Sequence, residues 1–488
     1  DIVIYEMKKI KFSKEMNEIL DEIDVSEYNY QKAENRYKSV SSYIGNSTLS
    51  EFNPEIYLQG SFKLGTAIRP LTSDGSYDID IVCKMNKLSK MDITQFDLKQ
   101  KTGDVVKDYA SSNSMKNDPF NGKRCWTLNY VDESNFHIDI LPSLQESIYD
   151  DELICITDKK NVNYKIISRE WETSNPKGYY QWFRNQSNYY DYKKMIAERF
   201  SSNIEDVPYY KVKTPLQRVV QIFKRHAEVM FENEMEYKPS SIIITTLAAI
   251  SYPEAIRYSD DFTSLVINTI DNLLDGIEYD LGSPCIYNPA NRKEKISGKW
   301  DKDKQYFEKF LVWVDQLKID FGFNQEITVF ERMNYIGQSL RINSSKNMAE
   351  SLSSLPHHQI PKWTFHSRID IEIKASVSMS KNGRYREIKS GTPLGKSQYL
   401  KFEVIVSNVD IYEIYWQITN TGFEARDKQC LRGDFYESEL LEGKKIRNES
   451  TSYIGKHYVE AYIVRDNICY GKSAPYVVNI VKGLMGHR

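Results

Sequence analysis

The chain has 488 residues, 40% of them hydrophobic and 27% charged, with 22 Gly and 15 Pro. This composition excludes collagen, fibrous repeats and long disordered tracts, and the length leaves room for about three domains. Lys plus Arg total 65 against 68 Asp plus Glu, a net charge of −3, so no global positive field gathers a nucleic acid and any nucleotide chemistry must rest on a local site.

Asp1 to Lys14 mixes charges without an apolar run, so no secretory signal is expected there. The longest apolar candidate, Ser241 to Ile250, is only ten residues with two Thr, well short of the ~18 a membrane span needs. No membrane partner is expected. Cys83, Cys125, Cys155, Cys285, Cys430 and Cys469 are scattered without CxxC or zinc-ligand spacing and read as reduced thiols of a cytoplasmic protein.

In chain order, residues 14–43 carry Met16, Leu20 and Ile23 at i, i+4, i+7 among charged residues, which predicts an amphipathic helix clasping the next unit. Short strand-like runs, Tyr77 to Val82, Arg124 to Tyr130 and Phe136 to Leu141, then alternate with polar or helical stretches, an α/β pattern. Leu216, Val219, Val220, Phe223, Ala227 and Met230 predict an amphipathic helix within a helical domain. A Ser-rich stretch from Ile342 to Pro361 has the composition of a connector. Beyond it the period becomes two, in Ile369 to Met379, Leu400 to Val406, Ile414 to Ile418, Val459 to Ile463 and Tyr476 to Val481, which predicts a β-sandwich. The expected division is a helical segment over 1–50, an α/β core over 51–200, a helical domain over 201–341, a linker over 342–361 and the sandwich over 362–488.

The informative residues are Gln59-Gly60-Ser61-Phe62-Lys63-Leu64-Gly65-Thr66, then Asp78-Ile79-Asp80, then Phe136-His137-Ile138-Asp139-Ile140. Alternation along a strand aims Asp78 and Asp80 to one side and puts His137 and Asp139 on one face. If the two strands are neighbours, three carboxylates converge. Such a group repels itself unless divalent cations compensate it, and oxygen-only ligands favour Mg²⁺ or Mn²⁺. Two such ions suit an in-line displacement on a nucleotide phosphate. Gly60-Ser61 before a helix at Phe62 to Ala67 offers backbone N–H groups and a hydroxyl to a triphosphate. Gly-Ser alone is an ordinary turn and Asp-Ile-Asp alone a solvated strand face; the order and spacing together carry the reading.

These segments resemble the nucleotidyltransferase superfamily of polymerase β, poly(A) polymerase and cyclic GMP-AMP synthase. Arg124-Cys125-Trp126-Thr127-Leu128, Phe136 to Pro142, Ser174-Asn175-Pro176-Lys177-Gly178-Tyr179 with Trp182-Phe183, Leu216-Gln217-Arg218, Phe223-Lys224-Arg225-His226 and Asn288-Pro289-Ala290-Asn291 with Glu294 and Trp300 resemble the bacterial CD-NTases in particular. Many relatives continue Lys-Arg-His with Arg-Asp, where Ala227-Glu228 stands here. Trp416, Asn420-Thr421-Gly422, Glu424-Ala425, Leu431 to Phe435 and His457 to Tyr462 resemble the AGS-C sensor domain.

The resemblance implies an α+β fold: a polymerase-β-like nucleotidyltransferase core with a helical domain, then an all-β sandwich. It implies that Asp78, Asp80 and Asp139 are catalytic and hold the metals, that Gly60 and Ser61 bind phosphates, and that Lys224 reaches the triphosphate, ending a polar stripe with Gln217 and Gln221. Taken alone, Lys224 also fits a solvated helix face. The implied activity is template-independent joining of NTPs, ATP among them, into cyclic or linear oligonucleotide messengers of CBASS-like anti-phage defence, with a messenger-responsive effector protein and an unidentified activating ligand at the C-terminal domain. A homo-oligomer is compatible with it. Two rivals share the residues: a nucleotidyltransferase that modifies RNA ends or a protein hydroxyl, and a nucleotide sensor whose site has decayed, against which all three carboxylates and Gly60-Ser61 argue.

Four further features read as structure. His137 beside Asp139 is a hydrogen-bonded histidine rather than a general base. Ser174-Asn175-Pro176 starts a helix, by an N-cap with Pro at N1. Gly391 to Ser397 imitates a Walker A loop with one residue too few. The sandwich loops from Asn420 to Phe435 suit ligand recognition or passive docking.

Overall fold

The computed structural model describes residues 10–72, 75–131, 135–147, 149–199, 209–322, 329–342, 352, 355, 357–366, 369, 371–405, 412–441 and 443–481. The chain divides into two units, Asp1–Gly322 and Phe323–Arg488.

The first unit opens with two helices where the sequence pattern predicts one. α1 (Lys14–Ile23) and α2 (Glu27–Gly45) begin on the N-caps Ser13 and Ser26, and the chain between them turns extended at Asp24, whose carboxylate accepts from Val25 N, Lys213, Arg218 and Gln221. A Ser side chain that caps a new helix competes with continuing the old one, so the break is local in origin. There follow β1 (Pro54–Gln59), α3 (Gly60–Leu64), β2 (Tyr77–Met85), α4 (Gln95–Ser112), β3 (Phe120–Asn121), β4 (Trp126–Tyr130), β5 (Phe136–Ser147), β6 (Asp150–Ile156) and β7 (Glu172–Ser174). The helix predicted over Phe62 to Ala67 is thus shifted and shorter, ending at Gly65 in the left-handed region.

The strands form one sheet in the order β1-β2-β5-β4-β3, with β6 on β5 and β7 on β6. β2 and β5 run parallel and their neighbours antiparallel. One face carries Ile79, Ile81, Cys83, Ile138 and Ile140 into a core closed by Tyr30, Val40 and Ile44 of α2 and Leu98, Val105 and Tyr109 of α4. The period-2 alternation therefore turns Asp78 and Asp80 away from the core.

Next come α5 (Pro176–Gln186), α6 (Tyr189–Arg199), α7 (Pro215–Met230), α8 (Ser241–Arg257) and α9 (Phe262–Asp271), the hairpins β8 (Glu278–Asp280) with β9 (Ser283–Cys285) and β10 (Tyr287–Asn288) with β11 (Asn291–Lys295), and α10 (Gln305–Phe321). Asn175 caps α5 with Pro176 at its first position, as expected. Asn288, Asn291 and Glu294 lie on a β-hairpin amid these helices. Among the described residues, no helix is long and apolar enough to cross a membrane.

In the second unit, α11 (Val329–Ser339) precedes β12 (Thr364–Phe365), β13 (Glu372–Ser378), β14 (Arg386–Ile388), β15 (Pro393–Leu394), β16 (Tyr399–Ile405), β17 (Glu413–Asn420), α12 (Phe423–Asp427), β18 (Phe435–Glu437), β19 (Glu439–Leu441), β20 (Lys444–Ser450), β21 (Gly455–Arg465), β22 (Ile468–Lys472) and β23 (Tyr476–Ile480). Two sheets result, β12-β22-β21-β17-β18 with β23 and β15 attached, and β14-β13-β16-β20-β19. Ile373, Ala375, Val377, Leu400 and Phe402 from one meet Trp416, Ile418, Val459, Ala461 and Ile463 from the other, the predicted sandwich.

The expected connector is only partly one. Residues 343–351 lie outside the described residues apart from the sequence itself, but Leu352 and Leu355 are buried against Tyr458. His358 shares a hydrogen bond of 2.8 Å with Thr419, and Gln359 N donates to Gly433 O. Ser-rich composition conceals that these few apolar and His side chains cover the outer face of β17 and β21. α11 also groups with this unit: the Tyr335 hydroxyl accepts from Gly422 N.

Candidate active site

The register of β2 and β5 sets Asp80 directly opposite Asp139 and Asp78 opposite His137. On the other flank β1 pairs Gln59 with Asp80, so the turn that follows β1 falls beside the same carboxylate. Gly60 makes this turn at φ +66°, and a Cβ there would lie 2.0 Å from Asp80 Oδ2. Only glycine lets the backbone approach so closely in the left-handed region.

Gly60, Ser61, Asp78, Asp80, Asp139 and Lys224, the six residues singled out from sequence, all line one cleft of about 660 Å³. Asp78 faces it with its side chain 70% exposed, while the neighbouring Ile79 is buried. His137 Nδ1 stands 3.2 Å from Ser76 Oγ and 3.4 Å from Asp78 Oδ1, the hydrogen-bonded setting expected of it. Asp139 accepts a hydrogen bond from Thr127, its in-register partner on β4.

The electrostatics follow from three acids on one sheet face. Burial, then Asp139 and Asp78, push the Asp80 carboxyl up to about 7, and Asp78 is also raised, because the walls of the cleft desolvate its carboxylate even though the side chain opens to the cleft, with Asp139 adding to the effect. With their side chains turned to His137 and Thr127, no three His, Cys, Asp or Glu among the described residues form a ready-made cage for a metal ion. The donor set nonetheless fits one chemically, because the carboxylates offer only hard oxygens and their mutual repulsion is what a divalent cation relieves.

Lys224 is not on a solvated face. It is 9% exposed, and burial lowers its ammonium to about 8. Its Nζ donates to Thr66 O at 3.0 Å, next to Gln217 Nε2 on Leu64 O and Gln221 Nε2 on Ala67 O, each at 2.8 Å, and Arg225 on Arg69 O. The polar stripe of α7 is therefore a ladder that grips the segment following α3 by its carbonyls. Sequence periodicity separates polar from apolar stripes but cannot say that both are buried.

Three acids in the cleft, Glu228, Glu232 and Glu294, were not singled out as site residues. Glu228, one turn beyond Lys224, lines it with Oε2 buried and accepting no hydrogen bond, and burial raises its carboxyl. Glu294 accepts from Asn288 Nδ2 at 2.8 Å and from Ser174 Oγ at 3.3 Å. Thr127 was missed as well, since its bond to Asp139 depends on strand pairing that no local motif encodes.

A fold with paired carboxylates on neighbouring parallel strands, and a glycine turn pressed against one of them, defines a nucleotidyltransferase core. The family model of the Second Messenger Oligonucleotide or Dinucleotide Synthetase domain matches residues 10–188, and that of the Adenylyl/Guanylyl and SMODS C-terminal sensor domain matches residues 353–481. The chain therefore carries a second-messenger nucleotidyltransferase domain followed by an AGS-C sensor domain. It is 27% identical over 361 residues to a c-di-GMP synthase of Roseivirga ehrenbergii, covering 72% of this chain and 90% of that protein. It is 23% identical over 432 residues to a cyclic GMP-AMP synthase of Escherichia albertii, covering 86% and 84%. In fold it is similar to the CD-NTase CdnG of Bradyrhizobium diazoefficiens, solved in complex with GTP, with a TM-score of 0.51, 18% identity and coverage of 66% of this chain and 95% of that one.

Proposed function

We propose that the protein is a divalent-metal-dependent enzyme that joins NTPs without a template into a cyclic or short linear oligonucleotide messenger, in a cytoplasmic, CBASS-like anti-phage role. The observation that carries this reading is Asp80 set in register with Asp139 on a parallel strand while Gly60 closes directly on Asp80. Relatives named as cyclic dinucleotide synthases support the product class.

Asp78, Asp80 and Asp139 would hold Mg²⁺ or Mn²⁺, which when bound supplies charge neutralisation at the attacking and leaving oxygens. Gly60 and Ser61 bind the donor phosphates through backbone N–H and hydroxyl. Lys224 serves the same end of the cleft, its ammonium anchored on Thr66 O and its remaining N–H groups free to take a phosphate oxygen. A hydroxyl oxygen of the acceptor's sugar forms a bond to the donor's α-phosphorus as the bond to the bridging oxygen breaks; pyrophosphate leaves with that oxygen, and the hydroxyl proton passes to solvent. The second unit would sense an unidentified ligand, and the messenger would act on a separate effector protein.

Incubating the purified chain with labelled NTPs and Mg²⁺ or Mn²⁺, then resolving products by mass, tests this. Nucleotide joined to nucleotide supports it. Label found only on RNA ends or on protein would transfer the site to the rival chemistry.

A further inference from the structure

Charged side chains point into the β-sandwich at one edge, where two apolar faces would be expected to meet. Arg447 and Glu449 of β20 stand directly opposite Phe402 and Leu400 of β16, and Tyr436 of β18 stands opposite Trp416 of β17. Partners in an antiparallel pair share a face, and Leu400, Phe402 and Trp416 are core residues. Arg432, in the loop before β18, joins them with its side chain 34% exposed, so the cluster opens to solvent. Its guanidinium grips both Glu449 oxygens, at 2.9 and 3.1 Å, and Arg447 adds two N–H groups to Oε1, at 2.8 and 2.6 Å. The two guanidinia lie 4.8 and 4.3 Å from the centroid of the Tyr436 ring.

Arg432 with Glu449 is already a complete clasp between the two sheets. Arg447 is surplus to it: among the described residues, Glu449 is the one anion within ion-pair distance of either Arg, which leaves one uncompensated positive charge. Two N–H groups of Arg432 and three of Arg447 have no partner among the described residues. A separate observation points the same way. His457, opposite Asn420 on the inner face, is 7% exposed, yet its Nδ1 has no partner among the described residues. Its Nε2 donates to Tyr453 O at 2.8 Å, so Nδ1 is a bare acceptor that an N–H or O–H of a ligand would satisfy. Asn420 Oδ1 accepts from Arg432 N, which ties this pair to the loop that carries the guanidinium.

A surplus cation with spare forked donors matches phosphate oxygens, and the nearby acceptor asks for a hydroxyl beside them. Resting on the reading of the second unit as the ligand-sensing half, we propose that Arg432, Arg447 and His457 form a binding site for a phosphorylated small molecule. Its phosphate rests on the two guanidinia and an adjacent hydroxyl donates to His457 Nδ1.

The probes are orthophosphate and ribose 5-phosphate, each ³²P-labelled and dialysed against the full chain. Phosphate also suits the catalytic cleft, so the readout is the difference between variants. R447Q removes the surplus charge and keeps the Arg432–Glu449 clasp, so it should melt near wild type while binding of both probes at this site weakens by roughly ten- to hundredfold. E449Q raises the surplus and should tighten binding by a similar factor. Opposite shifts cannot come from lost folding; unchanged binding in both variants, or weakened binding in both, overturns the site and leaves a structural clasp. Ribose 5-phosphate should bind more tightly than orthophosphate, and H457F should remove that margin. Equal affinities in wild type overturn the part given to His457 and leave free phosphate as the ligand. Pyrophosphate release with and without ribose 5-phosphate keeps the site apart from the sensor reading. Opposite shifts in binding with unaltered synthesis retain the site and remove the sensing.

Discussion

Replacing Gly60 by Ala places a Cβ 2.0 Å from Asp80 Oδ2 and 2.8 Å from its Cγ. Turning the carboxylate about its last torsion moves only the oxygens, so the Cγ contact forces the whole side chain or the backbone to shift. Opening 2.0 Å to an ordinary contact of 3.4 Å needs a displacement of about 1.4 Å, and a misplacement of about 1 Å at a reacting centre can already cost about a hundredfold in rate. The stability cost is separate: ~1–2 kcal/mol for an L-residue in the left-handed region and ~0.5–1.5 kcal/mol for an off-rotamer Asp80. G65A is the internal control. Gly65 has nearly the same φ, +67°, but its Cβ would meet Gln217 Nε2 at 2.3 Å, which disturbs the hydrogen bond of that amide to Leu64 O and leaves Asp80 untouched. Both variants should therefore melt within a few °C of each other, at about 2–4 °C per kcal/mol. Pyrophosphate release should fall about a hundredfold in G60A and far less in G65A. Equal losses of activity, or G60A turnover within about threefold of wild type, would refute the reasoning that Gly60 exists to seat Asp80.

Other consequences are open to measurement. Asp80 titrates near 7 when folded against 3.8 for the free group, so the folded chain binds the extra proton and metal-free protein should lose stability as pH rises through about 7; in EDTA, D80N should abolish that slope in urea melts, and an unchanged slope would remove Asp80 as its source. K224A should weaken NTP binding by roughly ten- to hundredfold, read by calorimetry, and unchanged affinity would leave Lys224 as an anchor of Thr66 alone. T127V frees the Asp139 carboxylate from its donor and should lower kcat about tenfold with little change in KM, whereas a rise in KM alone would place Thr127 in substrate binding. A chain ending at Gly322 should stay soluble with its melting retained, whereas one ending near Leu355 carries Leu352 and Leu355 without the Tyr458 they pack on and should aggregate more readily in light scattering.

What could be read from the sequence was whatever short-range periodicity encodes. The alternation Tyr77-Asp78-Ile79-Asp80 states which side of β2 is wet, and the repeated alternation after Glu372 states a sandwich with two inner faces. The meeting of Asp80 with Asp139 was readable only as a condition, since nothing local says that β5 lies parallel beside β2 with Asp80 opposite Asp139. Long-range choices account for the rest. Gln217 and Gln221 look like solvent-facing residues of an amphipathic helix, yet bury their amides on Leu64 O and Ala67 O. His358 looks like part of a linker, yet pairs with Thr419. The break at Asp24 is visible in hindsight, because Ser26 has the residue type of an N-cap, but in a charged stretch the apolar spacing of Met16, Leu20 and Ile23 outweighs it.

The measurement that bears most directly on the account is product analysis of the full chain against its D78N/D80N variant, with all four labelled NTPs and Mg²⁺ or Mn²⁺. The account predicts an oligonucleotide, cyclic or linear, and stoichiometric pyrophosphate from wild type, with neither from the variant, whose melting in EDTA is no lower than that of wild type because like-charge repulsion has been relieved. Oligonucleotide synthesis by D78N/D80N at the wild-type rate would contradict it.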